Sequence, residues 1–212
     1  MKVQLYADFT CPFSYMGKRI VDEAIAQTEG EVEFEWKAFQ LTPDASTEVA
    51  IPTVELLAKK FNKTKEEVMA TTAQLKARAL QLGLEYNYDI MKAPNTMKAH
   101  RLTKWAASFN KGQAITEAFF HALFTNGANL NKDEELLQIV ASVGLDQEEA
   151  RTVLESDAYA NEVNADKQEA IAKGIQSVPT MIVNNQFIIQ GVQPVEMVVQ
   201  AFRRQRPNGN MF

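Results

Sequence analysis

The 212 residues contain one cysteine, Cys11, and two histidines, His100 and His121. A single cysteine cannot close an internal disulfide, so the fold owes nothing to an oxidising compartment. With so few soft ligands and no close spacing among them, no metal site is expected. No uninterrupted apolar run approaches the roughly 20 residues of a membrane-spanning helix. An excess of basic charge is also missing: 22 Lys and Arg face 27 Asp and Glu, a net charge of −5. Nucleic acid and anionic membranes, which call for a basic face, are therefore not expected partners.

What is present is the composition of a globular protein. The hydrophobic fraction is 46% and the charged fraction 23%, enough to bury a core without staples. The length suits one large domain, or a small domain with a second inserted into it. Met1 to Tyr6 leads straight into a strand-like pattern, without a basic stretch followed by an apolar one. The expectation is a cytoplasmic protein.

The two ends read as α/β and the middle as all-α. Val3 to Phe9 alternate as a strand, with Val3, Leu5 and Ala7 on one side. Pro12 suits the first position of a helix, where its missing N–H costs nothing. That helix carries Phe13, Met16, Ile20, Ala24 and Ile25 on one stripe and is expected to end near Gly30. Glu31 to Phe39 alternate at period two, so the opening is β-α-β and favours parallel pairing. Leu41 to Pro52 read as a loop. Helices follow over about 56–61, from a capping signal at Thr64 to about 82, and over 95–110, 113–125, 132–143, 146–155 and 159–173. The acidic run Asp133-Glu134-Glu135 suits a helix start. Strands return at Thr180–Val183 and Phe187–Gln190, joined by the turn dipeptide Asn184-Asn185. A last helix covers Pro194 to Arg204, and Arg206 to Phe212 read as a loose tail.

Cys11 stands where the first helix begins. Unpaired backbone N–H groups and the positive end of the helix dipole favour a thiolate there, and the thiolate is the nucleophile of disulfide exchange. The alternative is a half-buried small hydrophobe, since cysteines are among the most buried residues. A second element is Gly174-Ile175-Gln176-Ser177-Val178-Pro179-Thr180, which runs into a strand. An ordinary trans proline is tolerated at such a place.

With the helical block removed, the element order is that of a thioredoxin domain, and the two motifs occur at the matching places. The chain resembles the DsbA family of thioredoxin-fold oxidoreductases, in particular its FrnE-like branch. The family's Cys-Pro-x-Cys start corresponds to Cys11-Pro12-Phe13-Ser14. Its Gly-(Val/Ile)-x-x-Val-Pro-Thr signature corresponds to Gly174, Ile175, Val178, Pro179 and Thr180. Gly191-Val192-Gln193-Pro194 and Asn95-Thr96-Met97-Lys98-Ala99-His100-Arg101 also follow the family pattern. The resemblance implies an α/β thioredoxin-like domain from residues 1–45 and 165–212, with an all-α insertion over 46–164. It further implies a cis Val178–Pro179 bond beside the thiol, and a Val178 backbone that pairs with an extended substrate.

The second cysteine of the motif is absent, and Ser14 stands in its place. A dithiol stores two electrons as an internal disulfide, and its second thiol expels a bound substrate. With Ser14 an outside thiol, such as glutathione acting as co-substrate, has to resolve a mixed disulfide on Cys11. The leading expectation is a thiol–disulfide oxidoreductase with Cys11 as nucleophile, acting on a protein or small-molecule thiol or disulfide. No tightly bound cofactor is expected. Kappa-class glutathione transferases and 2-hydroxychromene-2-carboxylate isomerases share the architecture and use a serine near the helix start, which makes a glutathione-dependent transferase or isomerase the second reading. A non-catalytic binding module is the third. Ser14 either hydrogen-bonds a Cys11 thiolate or caps the first turn.

Other residues are weighed alongside. Phe13 and the backbone at Val178 and Pro179 are expected to shape the substrate groove, with Pro12 beside them. Tyr15 either lines that groove or packs inward. His100 is a candidate to face the cleft and act as an acid or base, or to bind a substrate carboxylate together with Asn95 and Arg101, against the commoner structural role of a helical histidine. His121, in an aromatic helical stretch with Phe119, Phe120 and Phe124, is expected to take a core or a lining role. The sequence leaves the oligomeric state open, a homodimer included.

Overall fold

The structure, a computed structural model, describes residues 1–205. Its first strand, β1 (Lys2–Ala7), puts Val3, Leu5 and Ala7 into the main core and Tyr6 into a second, smaller cluster. Period-two alternation thus feeds both faces of a covered sheet. Cys11 is the N-cap of α1 (Pro12–Ala26), and Pro12 occupies the first turn. The helix stops before Gly30, where the Thr28 hydroxyl donates to the Ala24 carbonyl at 2.6 Å. Strand β2 (Glu33–Ala38) pairs with β1 in parallel, Val3 opposite Phe34 and Leu5 opposite Trp36.

A helical stretch separates this unit from the rest of the sheet. It comprises β3 (Ile51–Pro52), α2 (Thr53–Phe61), α3 (Lys65–Leu80), β4 (Lys92–Ala93), α4 (Met97–Ala107), α5 (Gly112–Phe124), α6 (Asp133–Ser142), α7 (Gln147–Glu155) and α8 (Ala160–Ala172). The capping box at Thr64 is present, each partner bonding the other's backbone N–H. Asp133, Glu134 and Glu135 fill the first turn of α6, and Asp146 caps α7 through the N–H groups of Glu148 and Glu149. One expectation needs correcting: the loop over 41–52 ends in a strand. Ile51–Pro52 bridges antiparallel to Lys92–Ala93, a pairing too short to leave an alternation in the sequence.

The chain returns as β5 (Thr180–Val183), β6 (Phe187–Gln190) and α9 (Val195–Arg204). Asn184 and Asn185 both take positive φ, 49° and 57°, as a tight hairpin turn requires. The four strands run β2-β1-β5-β6, with β5 antiparallel to both β1 and β6. Helices α1 and α9 pack together. Helix α8 joins the other face of the sheet, where Ala170 meets Tyr6, Ile175 and Ile182. The main core is continuous from the sheet into the helical stretch, and Phe9 stacks on Trp36 with ring centroids 4.8 Å apart. Among the described residues no helix is long and apolar enough to cross a membrane. The tail expected at 206–212 lies outside the described residues.

Candidate active site

The site forms where β1 ends and α1 begins. The chain has to turn sharply between them, and Asp8 organises the turn. The Asp8 carbonyl accepts the Cys11 N–H at 3.1 Å, and its own N–H donates to the Ser14 hydroxyl at 3.4 Å. Ser14, fully buried, therefore ties the first turn of α1 to the end of β1. The Pro12 carbonyl accepts the Tyr86 hydroxyl at 2.6 Å, which holds the same turn against the helical stretch.

Opposite Cys11 lies the loop before β5. The Val178–Pro179 peptide is cis, and the Cys11 thiol donates to the Val178 carbonyl at 3.7 Å. This brings together two motifs more than 160 residues apart. Close approach depends on Gly17, one turn further along α1. A Cβ there would lie 2.8 Å from Pro179 Cγ, closer than non-bonded carbon atoms pack.

The thiol is only 6% exposed. Burial pushes the Cys11 thiol up from its ordinary pKa. The Ser14 hydroxyl and the N–H groups of Ser14 and Phe13 pull the other way and offset only part of the rise, to which the Asp8 carboxylate adds. A helix start alone argues for the opposite direction, so here burial outweighs the helix terminus.

Behind the turn, the Asp8 side chain is fully buried. It accepts from the Thr10 hydroxyl and the Leu41 N–H, each at 2.9 Å, and lies 3.2 Å from His100 Nε2. The Trp36 indole, which can only donate, points its N–H at His100 Nδ1 at 3.0 Å. That places the ring proton on Nε2, facing Asp8. Burial works against ionisation of Asp8, yet the His100 ring and the Leu41 N–H hold its carboxyl below the usual range.

The structure separates the residues expected around the substrate. Cys11 and Pro12 line a cavity of about 810 Å³ whose walls come from the loop at Leu41, from α2 and from β4. Phe13 lies 37% exposed on α1, outside that lining. His100 has no exposed surface, so it lies behind the site and not on the cleft wall. Asn95 is buried as well. Its side chain receives a hydrogen bond from Gln40 and donates to the Pro43 and Ala45 carbonyls, which fixes the loop that walls the cavity. Arg101 spends its guanidinium on the carbonyls of Val153, Ser156 and Ala158 at the end of α7. Tyr15 packs inward, its ring stacked on Phe120 and its hydroxyl on Glu117. His121 is exposed, so the core role expected for it is corrected and the lining role remains: it sits one position off the buried stripe of Phe119, Phe120 and Phe124. It borders a separate hollow of about 690 Å³ between α5 and α6. Among the described residues no cluster of His, Cys, Asp or Glu could hold a metal ion.

Sequence reasoning missed Asp8, Trp36, Gly17 and the α2 wall. A glycine inside a helix carries a signal that could have pointed to Gly17. The others depend on packing partners distant in sequence.

A sulfur at the first turn of a helix, opposite a cis proline on a four-stranded sheet, defines a thioredoxin-fold protein of the thiol oxidoreductase and isomerase kind. Residues 2–203 match the DSBA-like thioredoxin domain, and the chain belongs to that family. A probable DsbA oxidoreductase from Streptomyces coelicolor is 31% identical, with a TM-score of 0.90 over 97% of this chain and 89% of that one. A 2-hydroxychromene-2-carboxylate isomerase has the same fold, at 20% identity and a TM-score of 0.71 over 96% and 95% of the two chains. So does the cytosolic disulfide reductase DsbM from Pseudomonas aeruginosa, at 13% identity and a TM-score of 0.67 over 97% and 98%. DsbM has also been solved with GSH.

Proposed function

We propose that this protein is a thiol–disulfide oxidoreductase that works through one sulfur, Cys11, by forming and resolving mixed disulfides. The observation that carries the reading is the Cys11 thiol set 3.7 Å from the carbonyl before Pro179, with Ser14 where a second sulfur would complete a dithiol. In the first step the Cys11 thiolate attacks one sulfur of a disulfide. A Cys11–S–S–R bond forms and the other half leaves as its thiolate. In the second step an outside thiolate attacks the bound sulfur of R, forms a new disulfide with it, and releases Cys11. Glutathione is the first candidate for that outside thiol, since a protein of the same fold has been solved with GSH. A cytoplasmic setting, which maintains a pool of reduced thiols, suits this chemistry.

The raised thiol pKa bears on the rate. Thiolate is scarce at neutral pH, but a thiolate of high pKa is the stronger nucleophile once formed. Exchange is therefore expected to quicken as pH rises above 7. The decisive test is Cys11→Ala assayed on a glutathionylated peptide with glutathione present. Loss of essentially all turnover is expected, and retained turnover would sink the reading. A second reading, glutathione-dependent isomerisation or transfer, is favoured by the isomerase of like fold. Calorimetric titration of Cys11→Ser with reduced glutathione separates the two. Tight binding together with substrate conversion, in a variant without a thiol, would favour the second.

A further inference from the structure

We propose that the cleft over Cys11 selects small disulfides and thiols that carry an anionic group on an apolar body; the inference rests on the thiol-exchange reading and names its substrate class. The cavity's volume, about 810 Å³, falls in the range that encloses a small molecule. Next to Cys11 its wall is apolar, with Leu41, Ile51, Leu56 and Met91 among the contributors. Helix α2 forms one side without a single fully buried residue. Leu41 and Ile51 remain 47% and 44% exposed, apolar surface that an apolar substrate would cover.

The charged lining is one-sided. Lys59, Lys60 and Lys92 border the cavity, and Glu55 is its one acid. Glu55 is already engaged by Lys65, at 2.6 Å. None of the three lysines takes part in an ion pair among the described residues. Lys60 lies over the Phe61 ring, 5.9 Å from its centroid. Asp44 and Glu48, on the neighbouring loop, do not line the cavity. A chain of net charge −5 thus keeps three cations without an ion-pair partner on the wall of the cavity that holds its only thiol. A plainer account exists for two of them: Lys59 and Lys60 end α2, where cations suit the helix dipole. It does not reach Lys92, which stands on β4 and faces the same space from another element.

The chemistry is the first exchange step alone. The Cys11 thiolate bonds to one sulfur of an aromatic disulfide, the S–S bond breaks, and the other half departs as a thiolate (nitrobenzoate) or, after taking a proton, as its thione (pyridine), each read by its own absorbance. Rates with the dicarboxylate dithiobis-nitrobenzoate and with neutral dithiodipyridine are compared, each divided by the rate of mercaptoethanol with the same reagent. The anionic-to-neutral ratio is expected to favour the protein by roughly 10-fold at low salt, since each exposed charge pair contributes a factor of up to about five. The ratio should fall towards one in molar salt, and in the triple variant Lys59→Gln, Lys60→Gln, Lys92→Gln. Should the triple variant fold poorly, Lys92→Gln alone and the salt series on the unaltered protein give the same readout. A ratio near one in the unaltered protein, or one that neither salt nor the variants reduce, would overturn the proposal and leave thiol exchange standing. If Cys11 reacts with neither reagent, thiol exchange itself fails, and this proposal with it.

Discussion

Asp8 shows how a single side chain sets the character of the sulfur. Every group facing its carboxylate is a donor: the Thr10 hydroxyl, the Leu41 N–H and the His100 ring, whose proton is directed to Nε2 by Trp36. The carboxylate is therefore ionised in a place without solvent. Burying a charge is tolerated only where hydrogen bonds replace water, and three donors do so here. The negative charge sits behind Cys11 and disfavours a second one on the sulfur. Asp8→Asn is expected to lower the Cys11 pKa. The amide nitrogen would face one of the donors, so the variant should also lose about 1–3 kcal/mol of stability. Alkylation rate against pH reads the first effect, and urea denaturation reads the second. An alkylation profile that stays in place in a folded Asp8→Asn protein would show that Asp8 only shapes the turn.

Helix α1 and the β5 loop meet at Gly17, and their fit fixes where the thiol sits relative to Val178. Gly17→Ala gains up to about 1 kcal/mol of helix propensity. It also drives a methyl group to 2.8 Å from a ring carbon of Pro179, an overpacking worth roughly 1–3 kcal/mol. The net expectation is a lower Tm and slower exchange at Cys11, and a Tm equal to or above that of the unaltered protein would count against it. This contact also marks the boundary of what the sequence reveals. The β-α-β opening, the Asn184-Asn185 hairpin, the Thr64 capping box and the placing of Cys11 at a helix start are legible because neighbouring residues decide them. The short pairing of Ile51–Pro52 with Lys92–Ala93 is not, because neither half alternates. The burial of His100 against Asp8 and Trp36 joins residues 92 and 64 positions apart, and no local pattern reports such a meeting. Cys11 was legible as a position, whereas the direction of its pKa was not, since the packing around it decides how much water reaches the sulfur.

At the scale of the whole molecule, β2 is an edge strand held to α8 by charge. Lys37 pairs with Glu35, Asp166 and Glu169, Lys104 pairs with Asp166, and Lys173 with Glu169. Asp166 also accepts the Ala38 N–H at 2.8 Å, which satisfies a backbone donor at the open edge of the sheet. Burial raises the pKa of Glu35, but Lys2 and Lys37 override it and hold the carboxyl at about 2. Burial acts likewise on Glu169, and Lys173 and Lys37 bring it to about 2. Asp8 is depressed as well. A carboxylate whose pKa is lower in the folded state contributes stability above its unfolded pKa and loses that contribution as pH falls through the folded value. For Glu35 and Glu169 the window runs from about 4.5, the ordinary value, down to about 2. Thermal melts between pH 6 and pH 2 should therefore show a nearly flat Tm down to about 4.5 and a steep fall below it. Glu35→Gln should remove part of that fall, about 1–2 kcal/mol once solvent screening of a partly exposed group is allowed for. A Tm that stays level to pH 2.5, or a Glu35→Gln protein with an unchanged slope, would mean that the network adds nothing to stability and that apolar packing alone holds α8 against the sheet. Cys11 titrates in a separate, alkaline range. Stability loss in acid and sulfur reactivity in base can thus be read on one protein without either masking the other.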